Sequence, residues 1–464
     1  MEAYLKSVES EFSLPKKKLK ELIEIFQIEL ENGLKRTDGM LRALPTFVFN
    51  LPKGSELGKY LTVDLGGTNL RIGLVELLGS GQFKIKKDSA VIPDNLKCGS
   101  GKAIFDFIAQ NIEIFLEHPE IEAELPLKLG FTFSFPVEQE SLAHGTILGW
   151  SKEIEGKDVI GMDAVGLLQE ALHSRGLDIA VEALVNDTVG TLLAQIYRDD
   201  RTRMSVILGT GSNAAYVENC SHIPKLKDKI NETHYQTVIN IEWGSFGDGP
   251  SDTTILPITR FDHVLNLESK NKNLQRYEKM ISGMYLGEIF RLILIEAVEK
   301  GYLKRVTDTR GIQPYGIKTK DMSRFHGEFI NGNIELCKLI IKEKFGIDIQ
   351  SDLEVEMLSK LCEIISLRSC YLCAVGITAV HRHLLSQSPP QTPKERSLFS
   401  VALDGALYQR YPNYSKMLQE MVCEMDMDGS GEDTCRVVLV MAEDLSSIGA
   451  AAAIAAQKKL NKKN

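Results

Sequence analysis

The sequence predicts an α/β protein of two domains around a central cleft, and three observations carry that expectation. At 464 residues the chain exceeds the length at which a single hydrophobic core stops growing. Short apolar runs separated by Gly-rich turns give way to alternating strand and helix patterns. A glycine- and hydroxyl-rich turn between two strands occurs twice, at residues 64–69 and 208–213, as an internal duplication would leave it.

The elements follow in order. Residues 4–35 carry helical spacing at Leu19, Leu22, Ile23, Phe26 and Leu30, with the lysines at 16–18 as a solvated face. Runs at 60–65, 71–77 and 83–87 read as a meander of strands. Alternation then sets in: a helix near 103–116, strands near 127–133 and 180–185, and a helix between them around 161–175. Strands at 204–208 and 214–218 flank the second turn. Helical patterns cover 282–300 and 353–385, a polar connection follows at 386–396, and strands at 398–403 and 436–441 precede an Ala-rich helix over 446–460.

Composition narrows the function classes. With 43% hydrophobic and 25% charged residues the chain can bury real cores. Its net charge of −9, with no basic stripe, disfavours nucleic acid and anionic membrane as partners. The charged N-terminal stretch is unlike a signal peptide, so a cytoplasmic location is expected. Eight scattered cysteines are unlike a secreted disulfide framework, and Cys370 and Cys373, a lone CxxC in an apolar run, read as core thiols rather than metal ligands.

Asp64-Leu65-Gly66-Gly67-Thr68-Asn69 sits between two strands. Its glycines let backbone N–H groups approach an anion, Thr68 and Asn69 add donors, and Asp64 is placed to meet Mg²⁺ directly or through water. An ordinary hairpin is the competing explanation. Gly209-Thr210-Gly211-Ser212-Asn213 repeats the device, so two turns could clamp one polyphosphate. Neither is a Walker A loop: the nearest candidate, Gly99-Ser100-Gly101-Lys102, lacks the upstream Gly and is followed by Ala103.

Asp187, in Asn186-Asp187-Thr188-Val189-Gly190-Thr191, follows an apolar strand. A carboxylate there is costly unless paired or used; it suits either a base accepting the proton of an attacking hydroxyl or a helix cap. Polar interruptions in apolar settings, at Ser134, Ser151, Lys152, Glu242 and Glu278 before the helix at 282, fit a polyol pocket, because every sugar hydroxyl taken from water needs a partner.

Taken in order, Asp64-Leu-Gly-Gly-Thr-Asn-Leu-Arg71, Leu129-Gly-Phe-Thr-Phe-Ser-Phe-Pro136, Asn186-Asp-Thr-Val-Gly-Thr191, Gly209-Thr-Gly-Ser-Asn213, Glu242-Trp-Gly-Ser-Phe246 and Tyr277-Glu-Lys-Met-Ile-Ser-Gly283 resemble the eukaryotic hexokinases over nearly the whole chain. The stretches at Ser141-Leu142 and 156–160 look closest to the fungal glucokinase-like branch. The resemblance implies an actin-like duplicated fold with ribonuclease H-like halves. Residues 1–53 would belong to the large domain, 54–187 would form the small domain, 188–446 the large, and 447–464 would return to the small.

It further implies transfer of the γ-phosphate of MgATP to the 6-hydroxyl of a hexose, glucose first, with Asp187 as base and Lys152 also catalytic. Implied sugar contacts are Ser134, Ser151, Lys152, Asn186, Asp187, Asn213, Glu242 and Glu278. Implied nucleotide contacts are Asp64, Gly66, Gly67, Thr68, Asn69 and Arg71 on one side, and Thr210, Gly211 and Gly405 on the other. A monomer or weak homodimer is expected.

The chain also departs from the family pattern. Glu153 stands where a Gly is usual beside the sugar, which would favour a 2-acetamido sugar such as N-acetylglucosamine unless the side chain turns to solvent. On the adenosine side Ala406 replaces a Ser, Leu445 a Gly, and Leu367 a small hydroxyl residue, changes that a weakly active sugar sensor would also tolerate. An actin-like binding module would lack the polyol set. Asp426-Met427-Asp428-Gly429-Ser430-Gly431 starts like a calcium loop but has Val437 at the twelfth position, and reads as a polar turn.

Overall fold

The structure, a computed structural model, describes residues 2–36, 38–150, 154–230, 234–249, 255–303, 313–349, 351–387, 398–430, 435–443 and 445–457. The N-terminal helical stretch is two helices, Glu2–Phe12 and Lys16–Lys35, rather than one. Pro15 divides them: its φ of −66° and ψ of 148° are extended, and its ring cannot continue the first helix. Leu19, Leu22, Ile23, Phe26 and Leu30 are buried, as their spacing predicts.

Strand β1 (Leu44–Pro45) leads into β2 (Leu57–Leu65), β3 (Asn69–Gly79), β4 (Gln82–Val91) and β5 (Leu127–Phe133). A small hairpin, β6 (Val137–Ser141) and β7 (His144–Ile147), precedes β8 (Ile179–Val185). The second half holds β9 (Thr202–Leu208), β10 (Ser212–Asn219), β11 (Gln236–Asn240), β12 (Phe399–Asp404) and β13 (Val437–Met441).

The duplication is explicit in the topology. One sheet runs β4-β3-β2-β5-β8, the other β11-β10-β9-β12-β13 with β1 added beyond β11. In each, three antiparallel strands form a meander and two more continue parallel to its first strand. The two Gly-rich turns therefore occupy equivalent places, between the first and second strands of each sheet. Equivalent helices, Asp187–Arg198 and Ser446–Gln457, follow the fifth strands.

Those two helices cross between the sheets, and glycine makes the crossing possible. A Cβ on Gly190 would lie 2.6 Å from the Ser446 carbonyl oxygen, and one on Gly449 would lie 2.7 Å from Gly190 Cα. Around them a third core joins the halves, drawing Val75 and Ala183 from one sheet and Ala215 and Ala402 from the other. The outer faces have their own cores.

The long helix Asp352–Gln387 is apolar and long enough to cross a membrane, yet 83% of its most apolar window is buried inside the protein. Cys370 and Cys373 lie fully within it, as expected of core thiols. Two sequence expectations need correction. Glu278 belongs to a short helix of its own, Arg276–Ile281, before the helix Leu286–Glu299. The 426–430 segment is the last turn of the helix Tyr414–Ser430, because Asp426 is buried against His381 and the helix continues to complete that pair. Not every cysteine is free: Cys423 and Cys435 are bridged.

Candidate active site

Asp64 and Arg71 face each other across β2 and β3, where the antiparallel register pairs them. Arg71 Nη1 lies 3.3 Å from Asp64 Oδ2, and Ser446 Oγ donates to the same oxygen at 3.3 Å. Asp64 is buried, whereas Thr68 and Asn69 at the tip of the turn are exposed and Gly66 and Gly67 half-buried. Gly66 N donates to the Asn69 carbonyl at 3.0 Å, closing the turn. Ser446, absent from the sequence expectations, thus ties this turn to the crossing helices.

At the other end of the crossing, the neighbouring residue resolves whether Asp187 is a cap. Asn186 is the N-cap of the helix Asp187–Arg198, its Oδ1 accepting from Val189 N at 2.8 Å. Asp187 is thereby released from capping. Its Oδ1 accepts from Thr188 N at 2.7 Å and Thr188 Oγ1 at 3.2 Å, and among the described residues nothing bonds to Oδ2. Asn186 keeps its amide N–H groups, and the second lone pair of Oδ1, for a ligand.

The second turn is laced into its surroundings. Gly283 N donates to Gly209 O at 2.8 Å and Met284 N to Thr210 O at 2.9 Å. Glu278 Oε2 accepts from Ser212 N at 2.8 Å, and a Cβ on Gly211 would meet that oxygen at 2.6 Å, so Gly211 is required by the close approach of the carboxylate. Gly405, at φ +115°, a conformation that disfavours any Cβ, packs on the same turn; its Cβ would stand 2.6 Å from Gly209 N. Asp404-Gly405 and 209–211 therefore form one continuous backbone wall.

At the end of the second turn, Asn213 joins a polar triad that the sequence only half disclosed. Asn240 Nδ2 donates to Glu242 Oε1 at 2.7 Å, Asn213 Nδ2 donates to Asn240 Oδ1 at 2.8 Å, and Asn213 Nδ2 also reaches Glu242 Oε1 at 3.3 Å. Glu242 holds a left-handed backbone, φ 57° and ψ 49°, which turns the chain sharply after β11. Burial pushes its carboxyl above the ordinary range; the Asn240 hydrogen bond opposes this, and the nearby Asp187 carboxylate adds to it. Beneath the triad, Trp243 Nε1 donates to Ser212 Oγ at 2.9 Å.

Contacts thus join Asp64, Ser446, Gly190 and the Asp187 helix on one side, and Glu242, Asn213, Glu278 and the wall at Gly209 and Gly405 on the other, with Asp187 acting electrostatically on Glu242. Ser134 sits half-buried just past β5. Ser151, Lys152 and Glu153 lie outside the described residues. On the adenosine side, Leu445 is buried in the core that joins the halves, Leu367 is half-buried on the long helix, and Ala406 is exposed beside Gly405. Asn240 was legible in principle, two residues before Glu242, but an Asn on a strand gives no sign of its partners.

Two family models, both described as hexokinase, match residues 4–197 and 203–456. Hexokinase-5 of Oryza sativa subsp. japonica is 37% identical over 97% of this chain and 88% of its own. Hexokinase-1 of Schizosaccharomyces pombe is 33% identical over 99% of this chain and 92% of its own. Among solved structures, a hexokinase from Schistosoma mansoni complexed with glucose superposes with a TM-score of 0.83 at 30% identity, covering 98% of this chain and 99% of that one. With both halves matched, the same fold reproduced and the relatives spanned almost end to end, the chain belongs to the hexokinase family, whose reaction is nucleotide-dependent phosphoryl transfer to a hexose.

Proposed function

We propose that this protein transfers the γ-phosphate of MgATP to the 6-hydroxyl of glucose, with Asp187 as the base. The carrying observation is that Asn186 caps the helix, leaving Asp187 Oδ2 without a partner among the described residues, within electrostatic reach of Glu242. The sugar lies against Ser134, Asn186, Asn213, Glu242 and Glu278; Ser151 and Lys152, which the family resemblance also implies, lie outside the described residues. Asp187 orients the hydroxyl and takes its proton as the oxygen attacks phosphorus.

The residues present fit a nucleotide. Gly211 and Gly405 leave no room for a Cβ, which keeps this wall bare backbone as a phosphate cradle requires, and Gly66–Asn69 offers a second turn with an exposed tip. Gly66, Gly67, Thr68, Asn69 and Arg71 would hold one side of the polyphosphate, Thr210, Gly211 and Gly405 the other. Mg²⁺, when bound, neutralises charge on the phosphate oxygens; the described residues offer no cluster of three ligands, so Asp64 would reach it alone or through water.

The two sheets with separate outer cores support domains divided near 187/188 and 446/447, at the starts of the crossing helices. Closure of the domains over the sugar would exclude water as a competing acceptor. The acidic net charge supports a cytoplasmic enzyme that engages neither nucleic acid nor anionic membrane, as a monomer or weak homodimer.

Coupled ADP production with glucose, mannose, fructose and N-acetylglucosamine tests the proposal. Asp187→Ala is expected to lower kcat about 10²–10⁴-fold while leaving KM for ATP nearly unchanged. A variant retaining more than about a tenth of the parent kcat would remove Asp187 from the role of base.

A further inference from the structure

Glu242 has two carboxylate oxygens in different situations. Oε1 accepts from Asn240 at 2.7 Å and from Asn213 at 3.3 Å, while among the described residues nothing bonds to Oε2. Both N–H groups of Asn213 are engaged, with Asn240 Oδ1 and Glu242 Oε1, and its Oδ1 accepts from Ala214 N at 2.8 Å. The triad therefore has a direction. An ionised carboxylate only accepts, so it draws Asn240 Nδ2 toward itself, which turns Asn240 Oδ1 toward Asn213 and fixes that amide too.

We infer that Asn240 is a positioning residue for hexose binding: its amide anchors Glu242 Oε1 so that Oε2 is presented to a sugar hydroxyl, and its carbonyl oxygen sets the amide orientation of Asn213. The inference rests on the proposed sugar-kinase reading of the site. Asn240 itself touches no reacting atom; it acts through Glu242.

The electrostatic setting makes this position matter. The charged groups acting on Glu242 are Asp187 from the helix Asp187–Arg198 and Arg42 from the segment before β1. The helix Arg276–Ile281, bearing Glu278, packs close by, its Glu278 Cβ near Gly244. Burial and Asp187 favour the protonated form. Of the interactions that favour the ionised form, the Asn240 hydrogen bond is the largest, ahead of Arg42 and Asn213. A protonated Glu242 would present a donor where a hydroxyl donor is expected, and the sugar would lose an acceptor.

The test uses Asn240→Ala and the nearly isosteric Asn240→Asp, which preserves volume should the alanine variant fail to fold. Equilibrium glucose binding is followed by tryptophan fluorescence between pH 5 and 9, since Trp243 adjoins Glu242 and the chain has only two tryptophans. Steady-state kinetics run in parallel. Asn240→Ala should raise KM and Kd for glucose about tenfold or more, leave kcat and KM for ATP within about threefold, and move the acid limb of kcat/KM upward by about 0.5–1 pH unit. Asn240→Asp cannot donate to Glu242 when ionised, so it should lose affinity increasingly as pH rises, the opposite trend. If both variants bind glucose as the parent does, or lose affinity by the same factor at every pH, Asn240 is merely structural and the inference falls. Should the parent protein bind glucose but phosphorylate no hexose, the kinase reading fails while the binding titrations still decide the role of Asn240.

Discussion

Replacing Gly449 by alanine should separate the two halves of this enzyme where they are most tightly joined. The new methyl would stand 2.7 Å from Gly190 Cα and 2.5 Å from its carbonyl carbon, with the carbonyl oxygen closer still. Ordinary carbon contacts begin at about 3.5 Å, so the helices would have to part by at least about 1 Å, and by more to clear the carbonyl oxygen. The helix Ser446–Gln457 has nowhere to retreat: on its other side Ala450 is packed against β5 so closely that a Cβ on Gly130 would lie 2.8 Å from Ala450 Cβ. Unrelieved overpacking of this kind costs about 1–3 kcal/mol and more where neighbours are backbone, so a loss of about 3 kcal/mol or more is expected. Because Ser446 is one turn away and bonds to Asp64, KM for ATP should rise more than KM for the hexose. Urea unfolding and steady-state kinetics measure both effects. Gly149→Ala, whose Cβ would meet nothing within 4 Å, is the control. A Gly449→Ala protein within about 0.5 kcal/mol of the parent and with unchanged KM for ATP would refute the packing argument.

Two further predictions concern the larger sheet. Burial alone would raise the Glu218 carboxyl, but His383 at 2.7 Å, Tyr216 and Asn219 more than offset this and hold it below its ordinary value of 4.5. A lowered folded-state value means that the contribution is fully present above pH 4.5 and lost as pH falls through the folded value. His383→Ala, which removes one of the partners of the buried carboxylate while Tyr216, Asn219 and Gln387 remain, should cost about 1.5–3 kcal/mol at pH 7 and move acid-induced loss of stability to higher pH; parallel stability curves for parent and variant would contradict it. At the edge strand β13, Gln419 Nε2 donates to Val437 O and Gln419 Oε1 accepts from Leu439 N, both at 2.9 Å, standing in for a neighbouring strand. Gln419→Ala should uncover that edge beside exposed Val438 and Met441 and promote association visible by light scattering, whereas a variant as monodisperse as the parent would show the cap to be dispensable.

Much of this protein was settled by its sequence because the signals are local. Period-two and helical spacing placed the main strands of both sheets and the longest helices, though not β11, the β6-β7 hairpin or the helices over 260–268, 319–340 and 414–430, and the repeated turn at 64–69 and 208–213 pointed to an internal duplication, since a turn reports its flanking strands directly. Residue types announced phosphate, proton transfer and polyol at Gly209, Asp187 and Glu242. The tertiary structure alone decided which group fills which role. Asn186 supplies the helix cap that Asp187 was equally able to supply, Ser446 reaches Asp64 from 382 positions away, and Asn240 orders Asn213 and Glu242 from a strand that carries no motif. The helical course of 426–430 likewise involves a distant partner, Asp426 being buried against His381, whereas the division at Pro15 is local and could have been read from the proline itself. The physical reason is common to all: spacing specifies which face of an element is apolar, but the partner of a buried polar group is chosen only when separate elements meet and each donor must find an acceptor.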